Sequence, residues 1–376
     1  MSLDITDLEA MQKIVAENKS GFHIRGQITL FLLYNNIVLM LDRHIMRFVL
    51  LLLLSICLPL FAFCNKPEII IEPTISEAGR EAFDHFQDLN KRGLVDDAFL
   101  FFTDPHLLSW EDKFSDETKN VITCSFAVAK ELYDALSLEL CLCGGDWLNF
   151  GDTQAMAKEK LLFADSLMNN SFSHYYKMMG NHDTNYQGII SSDNNKRGDL
   201  PIEFVNNQYF SETGSAFFRF ETKQTEFFIL DSGLDWDISL NENRIAQLLW
   251  LGDELKKSIS EHKIVGIHMF YNDVPLITPM AKELVDLILA FNDRGIYTNA
   301  GKLLNFSNSI GTVHFVITGH CHVDFMETIN GIPIIGTHKF YDSTRPFDIF
   351  AIDYDSGMVE MIRVGIGSNR EFKMAV

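Results

Sequence analysis

Short apolar runs, each halted by side chains that can bind metals or protons, constrain this chain more than any other feature. Residues 98–102 (Ala-Phe-Leu-Phe-Phe) form the first run, which stops at Thr103-Asp104-Pro105-His106. Residues 138–143 stop at Gly144-Gly145-Asp146, and 175–179 lead into Gly180-Asn181-His182-Asp183. A continuous apolar run of this length predicts a strand covered on both faces. Helical patterns lie between the runs, at 81–91 (closed by Gly93), 117–136 and 155–167. Helices alternating with buried strands define an α/β protein. In such sheets ligands bind just beyond the carboxyl ends of the strands, which is where these polar clusters stand.

The second half repeats the pattern with more β character. Residues 216–220 and 226–230 read as a strand pair, followed by an amphipathic helix from 247 to about 258. A strand at 263–267 stops at His268, and another at 313–317 stops at Gly319-His320-Cys321-His322. Strands at 332–335, 349–354 and 358–364 finish as a β-meander, with Asp355-Ser356-Gly357 as a hairpin turn.

The strand ends together offer Asp104, His106, Asp146, Asn181, His182, His268, His320 and His322. Imidazole and carboxylate ligands suit zinc, iron or manganese, and the scarcity of thiolates argues against a closed structural zinc site. Two ions about 4 Å apart need several protein ligands each and a bridging carboxylate, with positions left for water and substrate. The supply matches that demand. Asp-x-His spacing at a strand end places both side chains on one side, and the same holds for His-x-His unless the loop splays His320 and His322 toward different ions.

These motifs resemble those of the calcineurin-like metallophosphoesterases: Asp104-Pro-His106, Gly145-Asp146, Gly180-Asn-His-Asp183, an isolated His268, and Gly319-His-Cys-His322. The resemblance covers about residues 95–325 and implies a four-layer α/β/β/α sandwich, two mixed sheets flanked by helices, with a dinuclear metal centre at the strand ends. It implies that Asp104, His106 and His322 hold one ion, that Asn181, His268 and His320 hold the other, and that Asp146 bridges them. The implied activity is phosphoester hydrolysis by a metal-bridging hydroxide, on a phosphorylated small molecule or a phosphodiester. His182 then faces the leaving oxygen as a catalytic group, and Asp183 orients its imidazole. The Asp-x-His start, without a ligand-position tyrosine, departs from the purple acid phosphatase branch. The alternative is a non-catalytic, metal-binding interaction module on the same fold.

Lys196 and Arg197, in the loop from Thr184 to Gly214, are the candidate phosphate-binding pair, with Asn181 beside them. Of the other histidines, His314 reads as a satisfied core residue, while His338 lies close enough in sequence to His322 to reach the pocket. A net charge of −20 argues against a nucleic-acid backbone as partner. The six cysteines show no disulfide spacing, and Cys141 and Cys143 read as buried thiols.

Ahead of the catalytic domain, assigned to 81–376, three segments differ in character. Residues 46–64 carry Met46-Arg47 and then an apolar run, like a signal peptide or a membrane anchor. Cys64 resembles the lipidated cysteine of bacterial lipoproteins. These features predict an exported, membrane-associated protein, or a cytoplasmic one if 46–64 is not a signal. Residues 1–45 are then an N-terminal extension, and 65–80, with Pro67, Pro73 and Gly79, a linker.

Overall fold

The buried runs are strands of two six-stranded sheets. The computed structural model describes residues 75–107, 114–149, 152–184, 200–231, 241–273, 276–341 and 343–376, all within the unit Pro73–Val376. The segment 46–64 and the pair Lys196-Arg197 lie outside these residues. Among the described residues, no helix is long and apolar enough to cross a membrane.

The first half supplies α1 (Glu77–Lys91), β1 (Asp97–Phe102), α2 (Asp116–Ser125), α3 (Ala127–Ala135), β2 (Leu140–Cys143), α4 (Gln154–Ser171) and β3 (Tyr175–Lys177). Then come β4 (Phe218–Glu221), β5 (Thr225–Leu230), α5 (Asn241–Lys257), β6 (His262–Ile267), β7 (Tyr271–Asp273), β8 (Leu276–Ile277) and α6 (Pro279–Asn292). The remaining strands are β9 (Ile296–Asn299), β10 (Lys302–Asn305), β11 (Thr312–Thr318), β12 (Phe325–Ile329) and β13 (Ile332–Gly336). The chain closes with β14 (Phe347–Asp353), β15 (Met358–Val364) and β16 (Arg370–Lys373).

One sheet runs β16-β15-β14-β1-β2-β3 and the other β12-β13-β11-β6-β5-β4. Strands β1, β2 and β3 are mutually parallel, as are β5, β6, β11 and β13, with antiparallel strands at the outer edges. Parallel pairing at the centre demands cover on both faces, and the aromatic residues provide it. Between the sheets, Phe99 meets Phe227 edge-on at 5.3 Å, and Phe315 stacks on Phe350 at 6.0 Å. The opposite face of β1 turns Phe102 to Phe126, at the junction of α2 and α3. On the far side of the second sheet, Phe228, Val265 and Val316 join Leu251 of α5 and Leu284 of α6 in a second core. The layers are helix, sheet, sheet, helix, which is the expected fold class. Each buried ring contributes about 1.5–3 kcal/mol, so a core this rich in phenylalanine needs no staples. The described cysteines are free, and burial pushes the Cys141 and Cys143 thiols well up.

Some boundaries differ from expectation for physical reasons. Helix α1 starts at Glu77, inside the stretch assigned as a linker, and buried Gly79 lies where a Cβ would sit 3.3 Å from Leu132. That glycine permits a helix crossing rather than a flexible tether. The helix expected over 117–136 breaks at Phe126, whose ring turns inward and stacks on Trp147 at 5.9 Å. Helix α6 was not anticipated, although Thr278 caps Ala281 N at 3.1 Å and Pro279 follows as a standard start signal.

His314 is the satisfied core residue its setting suggested. Its Nδ1 donates to Ala375 O at 2.9 Å, and Nε2 lies 2.9 Å from His262 Nδ1, so the neutral ring meets both demands. Burial lowers its pKa from 6.5 to about 4, with the Ala375 hydrogen bond pulling the other way. The unfolded chain therefore binds a proton that the folded chain refuses. Stability from this site is full above pH 6.5 and is lost as pH falls toward 4, by an amount on the order of 3 kcal/mol. His314→Gln should flatten the urea-midpoint curve over that interval, and an unchanged slope would mean that other groups control it.

Candidate metal centre

Asp104 and His106 follow β1, Asp146 follows β2, and Asn181, His182 and Asp183 follow β3. His268 follows β6, and His320 and His322 follow β11, so both sheets deliver residues to one place. Asp104, His106, Asp146 and His322 bring ligand atoms within 4.8 Å of one another, and so do Asp146, His268 and His320. Asp146 belongs to both groups. Its Oδ2 lies 3.1 Å from His268 Nε2, 3.8 Å from His182 Nε2 and 3.9 Å from His106 Nε2.

The other atom of each group is fixed from behind. Asp104 Oδ2 accepts from Thr103 Oγ1 at 2.6 Å and from His320 N at 3.0 Å, which leaves Oδ1 aimed at His322 Nε2, 3.1 Å away. Asp146 Oδ1 accepts from His182 N at 2.9 Å. His106 Nδ1 donates to Leu148 O at 2.8 Å, and His268 Nδ1 to Gly144 O at 2.5 Å. Such contacts set the ring orientation and turn Nε2 toward the other ligands, 3.0 Å from His322 Nε2 for His106 and 3.1 Å from Asp146 Oδ2 for His268. His320 instead turns Nε2 to Asn272 O at 3.1 Å.

The inward-facing atoms are the test of whether cations fit. Asp104 Oδ1, Asp146 Oδ2, Asn181 Oδ1 and His268 Nε2 are all buried; Asn181 Oδ1 makes no hydrogen bond, and the other three meet only ligand-type atoms, His268 Nε2 facing Asp146 Oδ2 and Asp104 Oδ1 facing His322 Nε2, each at 3.1 Å. Buried polar atoms left in this condition cost free energy unless something charged meets them. Ligand-type atoms buried with so little beyond one another to compensate them fit divalent metal ions. Electrostatics agree. Burial opposes ionisation of Asp146, yet His268 and its neighbours outweigh it and hold the carboxyl far below the usual range. Burial likewise opposes charge on His268, but Asp146 and Asp104 push it up to about 10.

Backbone strain marks the same residues. Ten described non-glycine residues have positive φ, and five of them are Asp104, His106, Asp146, His320 and His322, at +36 to +69°. The expected strand-like alternation is therefore not what aligns Asp104 with His106. Both leave β1 through left-handed backbone, a conformation that clusters at functional sites and costs about 1–3 kcal/mol per residue. Gly180 is required by close packing. It does not serve a positive-φ turn; a Cβ there would sit 2.1 Å from Asp146 Oδ1 and 2.2 Å from Asp146 N.

Asp183 requires the main correction. It was expected to orient His182, but its carboxylate holds backbone instead. Oδ1 accepts from Trp147 N at 2.7 Å and Leu148 N at 3.1 Å, and Oδ2 from Asp146 N at 2.9 Å and Gly180 N at 3.0 Å. Burial and the Asp146 charge push its pKa up to about 7, against the pull of those donors. The His182 ring lies 4.9 Å from that of His106. Burial lowers its pKa to about 4.

His338 does not join either ligand group; its N donates to Asp324 Oδ1 at 2.9 Å. Thr103 was missed, although a hydroxyl closing an apolar run next to Asp104 was a readable signal. The carbonyls of Gly144, Leu148 and Asn272 carry no side-chain identity and left none.

No family profile matches this chain, and no curated protein matches it by sequence. Solved structures do. A dimetal phosphatase from Danio rerio aligns with a TM-score of 0.50 at 10% identity, covering 74% of this chain and 99% of that one. A purple acid phosphatase from yellow lupin seeds aligns at 0.44 and 12% identity, over 74% of this chain and 53% of that one. Vacuolar protein sorting 29 from Cryptosporidium parvum aligns at 0.34 and 13% identity, over 74% and 99%. The first likeness shows the fold: the chain shares the architecture of that structure.

The clamp formed by Asp183 makes a direct prediction. Asp183→Ala leaves four buried N–H groups without an acceptor, which should cost at least about 3 kcal/mol of stability even in metal-free protein. A melting temperature equal to wild type would return Asp183 to the role of imidazole orienter.

Proposed function

We propose that this chain is a metal-dependent phosphoester hydrolase working at a two-metal site. One observation carries this reading: two groups of buried or half-buried carboxylate and imidazole ligands share the Asp146 carboxylate. Asp104, His106 and His322 would hold one ion, with Asn181, His268 and His320 at the other. The donor set suits manganese, iron or zinc. Bound ions would supply a water of lowered pKa near neutrality and would screen charge developing on the phosphoryl oxygens.

The chain's own residues do the rest. The His322 side chain is 38% exposed while those of Asp104 and Asp146 are fully buried, so the ester approaches from the His322 side. His182, with 14% of its side chain exposed and Nε2 beside Asp146, presents an imidazole N–H to the leaving oxygen. Asp183 acts through the backbone, holding Asp146 where both groups can use it. Asn181 would be the amide ligand of one ion, and Lys196 and Arg197, in the loop from Thr184 to Gly214, would meet the phosphate.

Metal-stripped protein reloaded with Mn²⁺, Zn²⁺ or Fe²⁺ and assayed with p-nitrophenyl and bis-p-nitrophenyl phosphates tests the proposal. Hydrolysis of at least one ester is expected. Metal uptake without hydrolysis of either would favour a non-catalytic, metal-binding module. His182→Ala should retain its metal, by elemental analysis, while losing roughly 10²–10⁴ in kcat. Wild-type turnover in that variant would remove His182 from the chemistry.

A further inference from the structure

Behind the loop that carries His320 and His322 lies a network of charged side chains that the catalytic reading does not use. Arg363, on β15, is buried, and its cross-strand partner on β14 is the fully buried Asp348. The guanidinium grips Asp348 with Nε at 2.8 Å and Nη2 at 2.9 Å. The same group reaches across to Asp324, with Nη1 at 3.0 Å from Oδ2 and Nη2 at 2.5 Å from Oδ1. Asp324 stands two residues after His322, on the exit from the other sheet. One arginine therefore joins the two sheets through two forked pairs.

The network continues to the opposite wall of the site. Asp324 Oδ1 accepts from His338 N at 2.9 Å. Arg370 braces the same corner, donating to Asp348 Oδ2 and to Gly336 O, each at 2.8 Å. The segment after β13 then runs beside the first ligand motif, with Phe340 N donating to Thr103 O at 2.7 Å and Tyr341 N to Asp104 O at 3.3 Å. Asp104 and His322, from different sheets, are thus tied to one charged node.

Buried ion pairs of this kind seldom add net stability over apolar packing, because desolvation offsets the attraction. Their contribution is geometry: a planar guanidinium accepts two carboxylates only in fixed orientations. The loop they hold needs it, since His320 and His322 have φ values of +69° and +60°.

We propose that Asp324 and Arg363 are positioning residues for the metal centre: they form a strut that sets His322 against Asp104 and thereby tunes the affinity of one of the two ions. This inference rests on the two-metal reading. The test is a calorimetric Mn²⁺ titration of the metal-stripped full chain, comparing wild type, Asp324→Asn, Arg363→Lys, His322→Ala and the Asp324→Asn/His322→Ala pair. Either strut variant should weaken one Mn²⁺ site by roughly 10–100-fold and leave the other unchanged. In the His322→Ala background, Asp324→Asn should cost nothing further, as expected for residues acting through one contact. Arg363→Lys carries the test if Asp324→Asn loses its native circular dichroism. Unchanged affinity, equal weakening of both sites, or an additive loss on top of His322→Ala would each overturn the strut. A wild-type chain that binds no Mn²⁺ would overturn the metal-centre reading, and the strut with it.

Discussion

The site depends on a carboxylate that touches no candidate metal position. Asp183 gathers the N–H groups of Asp146, Trp147, Leu148 and Gly180 onto its two oxygens. That fold of backbone sets Asp146 between the two ligand groups. It also brings Leu148 O to His106 Nδ1, so one side chain after β3 indirectly aims an imidazole that follows β1. Hydrogen bonds are stronger in a buried setting than in water, and four converge here on one side chain. Gly180 completes the arrangement by leaving out the one atom that would collide with Asp146.

Such a clamp is needed because the ligands do not sit comfortably. Left-handed backbone at Asp104, His106, Asp146, His320 and His322 would relax if the surroundings allowed it. The surroundings do not allow it. The strands they leave are among the most buried in the molecule, with Phe99, Phe101, Leu142 and Ile317 all inaccessible to solvent. The rigid parallel centre of each sheet supplies the anchor; beyond it Thr103 Oγ1 donates to Asp104, and the carbonyls of Gly144 and Leu148 accept from His268 and His106.

Much of this was legible in the sequence because the signals were dense and local. Runs such as 98–102 and 138–143 could only be doubly covered strands, and their polar stops named the ligand groups in order. Elements with a weak signal escaped. β12 is largely exposed and offered no apolar run, and the break at Phe126 depends on Trp147, which lies 21 positions later and meets it only in three dimensions. The role of Asp183 was misassigned for a related reason. A His-Asp neighbour pair suggests a side-chain partnership, whereas acceptance from backbone N–H groups of another strand's exit leaves no trace in composition. The mechanism of the Asp-x-His spacing failed similarly: the two residues do converge, but by positive φ rather than by pleat.

Charge gives the last step. A chain at −20 already carries excess acid, yet it buries Asp104, Asp146 and Asp183 completely within one small volume. Isolated buried carboxylates are expensive, and each must be met by donors or cations. Asp183 is met by four backbone donors. Asp104 and Asp146 are each met on one oxygen only, while their second oxygens face imidazoles. Without ions, protonation of His268 is what the geometry offers Asp146 as compensation. A divalent cation offers the same compensation with twice the charge and with a coordination demand that Asn181 and the neighbouring histidines can also meet. The arrangement makes most physical sense as a cage whose balancing charge comes from outside the chain.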